Sequence, residues 1–387
     1  MTGKHYTNFR DDQIMNSIRR NVEDFLKTAS SSSFGINEMK RQMKKDIHLL
    51  SASRYREIKE LSRKAKIELK ALLCYNLYHS AFFSDGCTIF FSLGEASKNG
   101  NTLFGKNSDN QGRSGLVGDG YVENRQIHVV MYSENRDGSH VVGVSAAGLS
   151  GVKMALNSHG VAGSTNYGNT VFSKESREET GHVFPSDREM IVREALEYPT
   201  ALLAAHHATK LLMQMPMATD GMVTFADSRE AYVVEGSKKI ISITKVESGT
   251  DSRSNMFITL DKLNVKNDTS SYCRYHRTQD ILNEISGNVT VEDMKKISMD
   301  HYYGPGTNGI CRHTEGLNSS TLSAAIMEID KQDPLESKIH IALGKPCNAW
   351  RHEDGHVTIS MRDKVSDIPK AFLSGEAFKK YFMADPL

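Results

Sequence analysis

The sequence contains little that would place the chain in a membrane or outside the cell. Among its 387 residues there is no run of about eighteen apolar residues, the length that spans a bilayer. Residues 1–6 contain no apolar stretch of the kind found in secretory signal peptides. We therefore expect no membrane partner and a cytoplasmic location, where reducing conditions keep thiols free.

Cysteine is scarce as well. The five cysteines, at positions 74, 87, 273, 311 and 347, are odd in number and include no C-x-x-C pair. Such a set predicts neither a disulfide framework nor a zinc knuckle. The adjacent residues His206 and His207 point in different directions on a helix, whereas zinc-binding pairs lie four residues apart. We expect no metal and no cofactor.

An excess of charge of one sign is also missing, because the formal net charge is +1. The distribution is uneven: residues 1–86 carry a balance of +6 and residues 87–387 a balance of −5. The basic residues alternate with apolar ones at helical spacing, and no basic stripe is interleaved with aromatic residues, as base stacking would require. We expect no nucleic-acid partner, and the opposite charges favour contact between the two segments.

Helical periodicity dominates the first of these segments, since apolar residues recur there at three- and four-residue steps. Helices are predicted over 11–28, 36–48 and 54–79. The pattern ends before Cys87, where β-branched and aromatic runs begin. The change divides the chain into a helical leader, residues 1–86, and a second domain, residues 87–387.

The second domain has the short apolar runs and Gly/Asn/Asp punctuation that are typical of strands. Strands are predicted over 87–93, 102–106, 126–132, 140–146, 151–156, 161–165, 221–227, 230–235, 239–245, 255–259, 322–329 and 338–343. Helices are predicted over 186–197, after Pro199, and over 271–286 and 291–302. Pairs of helices between groups of strands indicate an α+β fold with helices outside the sheets.

Cys87 stands at the first position of a predicted strand, directly after Gly86. An unpaired cysteine is commonly a buried core residue. Cleavage of the bond before Cys87 would instead give it an α-amine, which titrates near pH ~8 in model peptides. That amine could take the thiol proton, so that nucleophile and base would belong to one residue.

Four segments, in order, carry a resemblance to a known family. They are 85–88 (DGCT) with 105–109 (GKNSD), 157–163 (NSHGVAG) with Asn166, 254–257 (SNMF), and 309–313 (GICRH) with the strand 323–329. The set resembles the isopenicillin N acyltransferase-like family of N-terminal-nucleophile (Ntn) hydrolases over about residues 55–350. Met256 stands where the family usually has histidine. The resemblance implies a four-layer αββα sandwich.

The resemblance also implies self-cleavage between Gly86 and Cys87, with Cys87 as the nucleophile. Asp109, expected in a turn after the second strand, would orient the new amine or the thiol proton. Asn255 would donate its side-chain amide to the oxyanion, and Arg312 would hold Asp109 or a substrate carboxylate and favour the thiolate.

Two further residues complete the expected site: Asn166, as a second donor or substrate contact, and Thr88, as a substrate contact. For Asn166 a turn or strand-end position is an equally good interpretation. Cys311 and His313 flank Arg312 on the opposite face of the chain, and a papain-like dyad is not expected from them.

The function implied is that of an autoprocessed cysteine amidohydrolase or acyltransferase acting through an acyl-Cys87 intermediate. The substrate would be an N-acyl amine or an acyl thioester such as acyl-CoA, and we favour hydrolysis. The alternatives are a secernin-like cysteine dipeptidase, against which the long leader argues, and a non-catalytic binding protein on a degenerate Ntn fold. The leader fragment 1–86 is the expected macromolecular partner, and self-association stays open.

Overall fold

The computed structural model describes residues 12–30, 36–82, 85–111, 116–117, 120–121, 126–135, 137–172, 188–214, 220–237, 240–313 and 319–383. Within them, no helix combines the length and the apolarity needed to cross a bilayer.

The described part of the leader forms the helices α1 (Asp12–Ser30), α2 (Ile36–Asp46), α3 (Ala52–Ala65) and α4 (Leu69–Phe82). The single helix predicted over 54–79 is wrong, because the chain breaks between α3 and α4. Lys66 ends α3 in the left-handed conformation, with φ of 55°, and its N–H binds the carbonyl of Ser62. A left-handed residue of this kind is a common helix terminator.

Two antiparallel sheets form the centre of the second domain. In chain order the strands are β1 (Asp85–Leu93), β2 (Thr102–Gln111), β3 (Leu116–Val117), β4 (Gly120–Tyr121), β5 (His128–Glu134), β6 (His140–Ala146), β7 (Met154–Asn157), β8 (Ala162–Tyr167), β9 (Gly221–Ala226), β10 (Ala231–Gly236), β11 (Ile241–Val246), β12 (Gly249–Arg253), β13 (Ser319–Ile329), β14 (Lys338–Leu343) and β15 (His356–Ser360). One sheet has the order β12-β1-β2-β13-β14-β15, the other β11-β10-β9-β8-β7-β6-β5, and β3 pairs with β4 alone.

Helices cover the outer faces of both large sheets. The remaining helices are α5 (Arg188–Ala195), α6 (Ala201–Gln214), α7 (Thr269–Ile285), α8 (Val291–Ser298), α9 (Pro346–Ala349), α10 (Lys370–Ser374) and α11 (Glu376–Met383). One apolar core lies between the sheets, a second joins the six-stranded sheet to α7 and α8, and a third joins the seven-stranded sheet to α5 and α6. The expected α+β fold and its αββα layers are confirmed.

Several local predictions are corrected. Residues 255–259 form no strand; the edge strand is β12, just before them. Asp109 lies inside β2 rather than in a turn, because β2 extends to Gln111. The strand β15 and the C-terminal helices were not predicted, and residues 186 and 187 of the predicted helix 186–197 lie outside the described part of the chain.

The leader packs against the second domain through a shared core that includes Phe25 and Tyr75 from the helices and Val129 and Leu149 from the domain. Asn21, on α1, is buried in this contact. Its Nδ2 donates to the carbonyls of Ile127 and Ala147, each at 3.0 Å, and its Oδ1 accepts the N–H of Ile127 at 2.8 Å. One side chain therefore satisfies three backbone groups across the boundary.

We expect Asn21→Ala to lower the free energy of unfolding by about 2 kcal/mol or more, because it removes three buried hydrogen bonds across this boundary. Thermal unfolding followed by circular dichroism measures the effect. Asn16→Ala is the matched control, since Asn16 is exposed on the same helix. Equal melting temperatures for the two variants would contradict the structural role of Asn21.

Candidate functional site

Cys87 lies where the edge of the six-stranded sheet ends. Strand β12 stops at Arg253, which faces Ile89, so β1 continues toward Cys87 without a neighbouring strand on that side. Continuing the register places Asn255 opposite Cys87. The Oδ1 of Asn255 accepts the backbone N–H of Cys87 at 3.0 Å. A side chain thus replaces the missing strand partner.

Arg274, on α7, completes this replacement. Its guanidinium donates to the backbone carbonyl of Cys87 at 2.5 Å, to Oγ1 of Thr88 at 2.9 Å and to Oδ1 of Asn255 at 2.7 Å. Burial lowers the pKa of Arg274 to about 9, with the nearby Arg312 as a second cause, whereas neighbouring acidic groups act in the opposite direction. The backbone N–H and C=O of Cys87 are therefore both held by side chains.

Sequence reasoning missed Arg274. A signal was present: the buried positions of α7 include Ser271, Arg274 and Thr278, spaced three and four residues apart. A helix that turns a polar stripe inward has polar groups to satisfy there.

Asp109 and Arg312 are brought together, as expected. The Arg312 Nε lies 3.4 Å from Oδ2 of Asp109, and Thr321 donates its hydroxyl to Oδ1 of Asp109 at 2.7 Å. Arg312 also hydrogen-bonds Ser270 through its guanidinium and Thr321 through its backbone N–H. Both members of the pair are buried, so the charge of each stabilises the other where water cannot.

The thiol and these charges lie on opposite faces of the sheet. Ile89 and Phe91 pack between the two sheets, whereas Phe90 packs against the helices. Because side chains alternate along a strand, Cys87 belongs to the inner face and Thr88 to the helix-covered face. Asp109, which contacts Arg312, lies on the helix-covered face too. The backbone of Cys87 connects the thiol on the inner face with the charged side chains on the helix-covered face.

The inner face carries its own polar group near the ends of the strands. Ser108 pairs with Cys87 on one side and with Ser323 on the other. His128 of the second sheet contacts Ser323, with Nδ1 and Oγ 2.8 Å apart. Burial, together with Lys153 and Lys106, lowers the pKa of His128 well below its usual value. The imidazole is therefore neutral at physiological pH.

Asn255, Asn166 and Thr88 each form hydrogen bonds within the protein. The amide nitrogen of Asn255 donates to the carbonyl of Tyr167 at 2.8 Å, so its oxygen, not its amide, faces Cys87. Asn166 donates to the carbonyl of Ser254 at 2.9 Å and thereby holds the segment that carries Asn255. Thr88 is buried against Arg274. Their roles toward an oxyanion or a substrate stay predictions.

The whole group is closed to solvent. Cys87, Thr88 and Asp109 are 0 % exposed and Arg312 is 5 % exposed. Gly86, paired with Asp109, continues the strand directly before Cys87. The arrangement can hold a backbone amine and carbonyl rigidly and balance charge beside them.

The comparisons with known proteins are as follows. The family model for acyl-coenzyme A:6-aminopenicillanic acid acyl-transferase matches residues 96–347. Solved structures with similarity include the Caenorhabditis elegans ortholog of N-acylethanolamine-hydrolyzing acid amidase, with 14% identity, a TM-score of 0.40, and coverage of 64% of this chain and 98% of that one. A mutant conjugated bile acid hydrolase from Clostridium perfringens shows 11% identity, a TM-score of 0.42, and coverage of 73% and 94%. No curated protein matches the sequence.

The family match covers more than half of the chain and includes Asp109, Asn166, Asn255 and Arg312. It begins nine residues after Cys87, so the cysteine itself lies outside the matched region. The resemblance inferred from the sequence is confirmed: the chain belongs to the acyl-coenzyme A:6-aminopenicillanic acid acyl-transferase family.

Proposed function

We propose that the chain is a precursor that cleaves itself between Gly86 and Cys87 and then hydrolyses an N-acyl amine with Cys87 as its N-terminal nucleophile. The observation that carries this proposal is the hold on the Cys87 backbone by Asn255 and Arg274. Both hydrogen bonds are made by backbone atoms of Cys87, and neither involves an atom of Gly86. Both can therefore persist after cleavage and keep the new amine in place.

The first step is an N→S acyl shift. The Cys87 sulfur attacks the Gly86 carbonyl carbon, a C–S bond forms, the C–N bond breaks, and the thiol proton passes to the nitrogen. Water then hydrolyses the thioester, which releases the Gly86 carboxylate and restores the thiol. Glycine at the attacked position offers little steric hindrance.

The position of Asp109 suits this step. Cys87 directs both its N–H and its C=O toward Asn255 and Arg274, so Gly86 directs its own toward β2, where its partner is Asp109. The scissile carbonyl thus lies beside the backbone of a residue whose carboxylate is fixed by Thr321 and Arg312. The backbone N–H of Asp109 can donate to the oxyanion that develops there, and a donor held in a strand needs no reorganisation during the reaction.

Cleavage also provides a route for substrate. Asp85 and Gly86 occupy the first two positions of β1 and pair with Asn110 and Asp109. Once the bond is broken, these two residues can leave the sheet and uncover the amine and the thiol. In the mature chain the amine takes the thiol proton, the sulfur attacks the substrate carbonyl, and the leaving amine carries the proton away. Water then releases the acyl group.

The coarse activity, acyl transfer or amide hydrolysis, follows from the family. Hydrolysis of an amide is our choice within it because water is always available, whereas transfer requires an acceptor pocket that excludes water. The proposal that N-acyl amines are substrates draws support from the names of the relatives, which act on N-acylethanolamines and conjugated bile acids.

We expect the purified chain to separate on a denaturing gel into fragments of roughly 10 and 33 kDa, from ~110 Da per residue, and Cys87→Ala to remain one chain. Cys273→Ser, a half-buried cysteine on α7, is the control and should cleave like the wild type. N-terminal sequencing of the larger fragment should start at Cys87. An intact wild-type chain that turns over substrate would rule out the terminal-amine mechanism. An intact chain with an unreactive Cys87 would favour the binding-protein alternative.

We expect Arg274→Lys to slow cleavage about tenfold or more, because one ammonium cannot make the three hydrogen bonds of the guanidinium fork. Arg277→Lys is the matched control on the same helix, where the side chain pairs with Asp300. The rate is followed by intact mass after rapid purification, and melting temperatures are measured in parallel. A proportional loss of stability and rate would make Arg274 a structural residue only.

Asn255→Ala, compared with wild type as cleaved chains, separates two roles. If its oxygen holds the amine, as the contact indicates, removing it destabilises the ammonium form and lowers the amine pKa. The acidic limb of the kcat/KM profile should then move to lower pH. If its amide instead stabilises the oxyanion, kcat should fall about a hundredfold with an unchanged pH profile. We expect the shifted limb.

A further inference from the structure

Four side chains of the types that bind metal ions lie close together next to Arg312. They are His301, which follows α8, Cys311 and His313, which flank Arg312, and Cys347, in α9. Their ligand atoms all lie within 4.8 Å of one another. Only Cys311 and His313 are neighbours in the sequence; His301 and Cys347 come from separate parts of the chain, so no known zinc-ligand spacing covers the group.

The contacts centre on one nitrogen. Nε2 of His313 lies 3.1 Å from Nε2 of His301, 3.1 Å from Sγ of Cys347 and 3.4 Å from Sγ of Cys311. A ring nitrogen has a single proton or a single lone pair, so it can satisfy only one of these three neighbours by hydrogen bonding. Three neighbours at this distance are the crowding expected of atoms that share a central ion.

The distances fit a tetrahedral ion. Zinc bonds of about 2.0–2.1 Å to nitrogen and about 2.3 Å to sulfur put neighbouring ligand atoms about 3.3–3.8 Å apart. The three separations from Nε2 of His313, 3.1, 3.1 and 3.4 Å, are at or slightly below that range, and the widest separation in the group, within 4.8 Å, is above it, so the side chains would move by less than about 1 Å to bind the ion. The donor set of two thiolates and two imidazoles is that of structural zinc sites, and two thiolates neutralise the ion's charge.

We propose that His301, Cys311, His313 and Cys347 bind one structural Zn²⁺. Binding exchanges the two thiol protons for the ion, Zn²⁺ + 2 RSH → Zn(SR)₂ + 2 H⁺, with the imidazoles as neutral ligands, and requires no oxidant or reductant. All four ligand positions are filled by the chain, so the ion has no open position for substrate. The proposal is independent of self-cleavage at Gly86.

The site would fix the segment that carries Arg312. Cys311 and His313 point away from Arg312, as alternation along an extended chain requires, and the ion would tie both of them to α9 and to the end of α8. Two hydrogen bonds already connect these segments. The N–H of Cys311 donates to the carbonyl of Asp300 at 3.1 Å, and Nε1 of Trp350 donates to Oγ of Ser298 at 2.9 Å. Zinc, bound on the opposite side of this segment, would thus help to hold Arg312 against Asp109.

The test is metal content of the full chain, expressed with zinc and purified without chelator. We expect one zinc per chain by inductively coupled plasma mass spectrometry. After exchange with cobalt, we expect the intense visible bands of tetrahedral Co²⁺ and a thiolate charge-transfer band in the near ultraviolet. Chelator treatment should lower the melting temperature by several degrees, because the ion binds only the folded chain.

Variants assign the ligands. Cys347→Ser should lose zinc and, after cobalt treatment, should lack the thiolate charge-transfer band, while Cys273→Ser should keep both. Should Cys347→Ser fail to fold, His301→Cys offers a second route, since it retains four ligands and should keep zinc while increasing the charge-transfer intensity. Wild type that takes up no zinc or cobalt, or a mass lower by two hydrogens that maps to a Cys311–Cys347 disulfide, would overturn the proposal.

Discussion

The backbone of Cys87 is held by side chains at a point where a β-sheet would ordinarily hold it with another strand. Asn255 accepts a hydrogen bond from the N–H of Cys87, and Arg274 donates one to its C=O. A strand partner would bind both sides of the Gly86–Cys87 bond through its own rigid ladder. Side chains bind one residue at a time, so the proposed cleavage before Cys87 would leave both of these contacts to Cys87 in place.

This arrangement depends on a buried group of charges. The side chains of Arg274, on α7, and of Arg312 are both buried, and unpaired guanidinium groups would be costly to bury there. Asp109 and Asp268 act on Arg274 with opposite charge, and Asp109 pairs with Arg312. The carboxylate of Asp109 lies on the face of the sheet opposite the thiol. Its contribution to the site is to balance the charge of the two buried arginine side chains.

Sequence patterns predicted the fold well where local structure and burial agree. The strands His140–Ala146 and Lys338–Leu343 have the predicted bounds, because continuous apolar or alternating runs end there at turn residues. The helix break at Lys66 was invisible, since lysine is a good helix former and only its left-handed backbone stops the helix. The apolar run at 255–259 was read as a strand, while the actual edge strand, Gly249–Arg253, is polar and has low strand propensity.

The residues of the candidate site that belong to the sequence motifs were predictable. Motifs predicted the pairing of Asp109 with Arg312 and the nearness of Asn255 to Cys87. Arg274 was not predictable, because local sequence does not say which helix crosses which strand. The convergence of Cys311 and His313 with His301 and Cys347 was missed for the same reason: the group comes from three separate segments, and the sequence does not show that these segments meet.

The core shared by the leader helices and the second domain has a consequence for how the protein unfolds. An intact chain unfolds and refolds as one molecule, so its melting temperature does not depend on its concentration. A chain parted before Cys87 is a complex of two polypeptides held together by that core and by contacts such as those of Asn21. Its unfolding releases two particles, so dilution destabilises it. Refolding then requires the fragments to find each other, and synthesis as a single chain is what makes the first assembly fast.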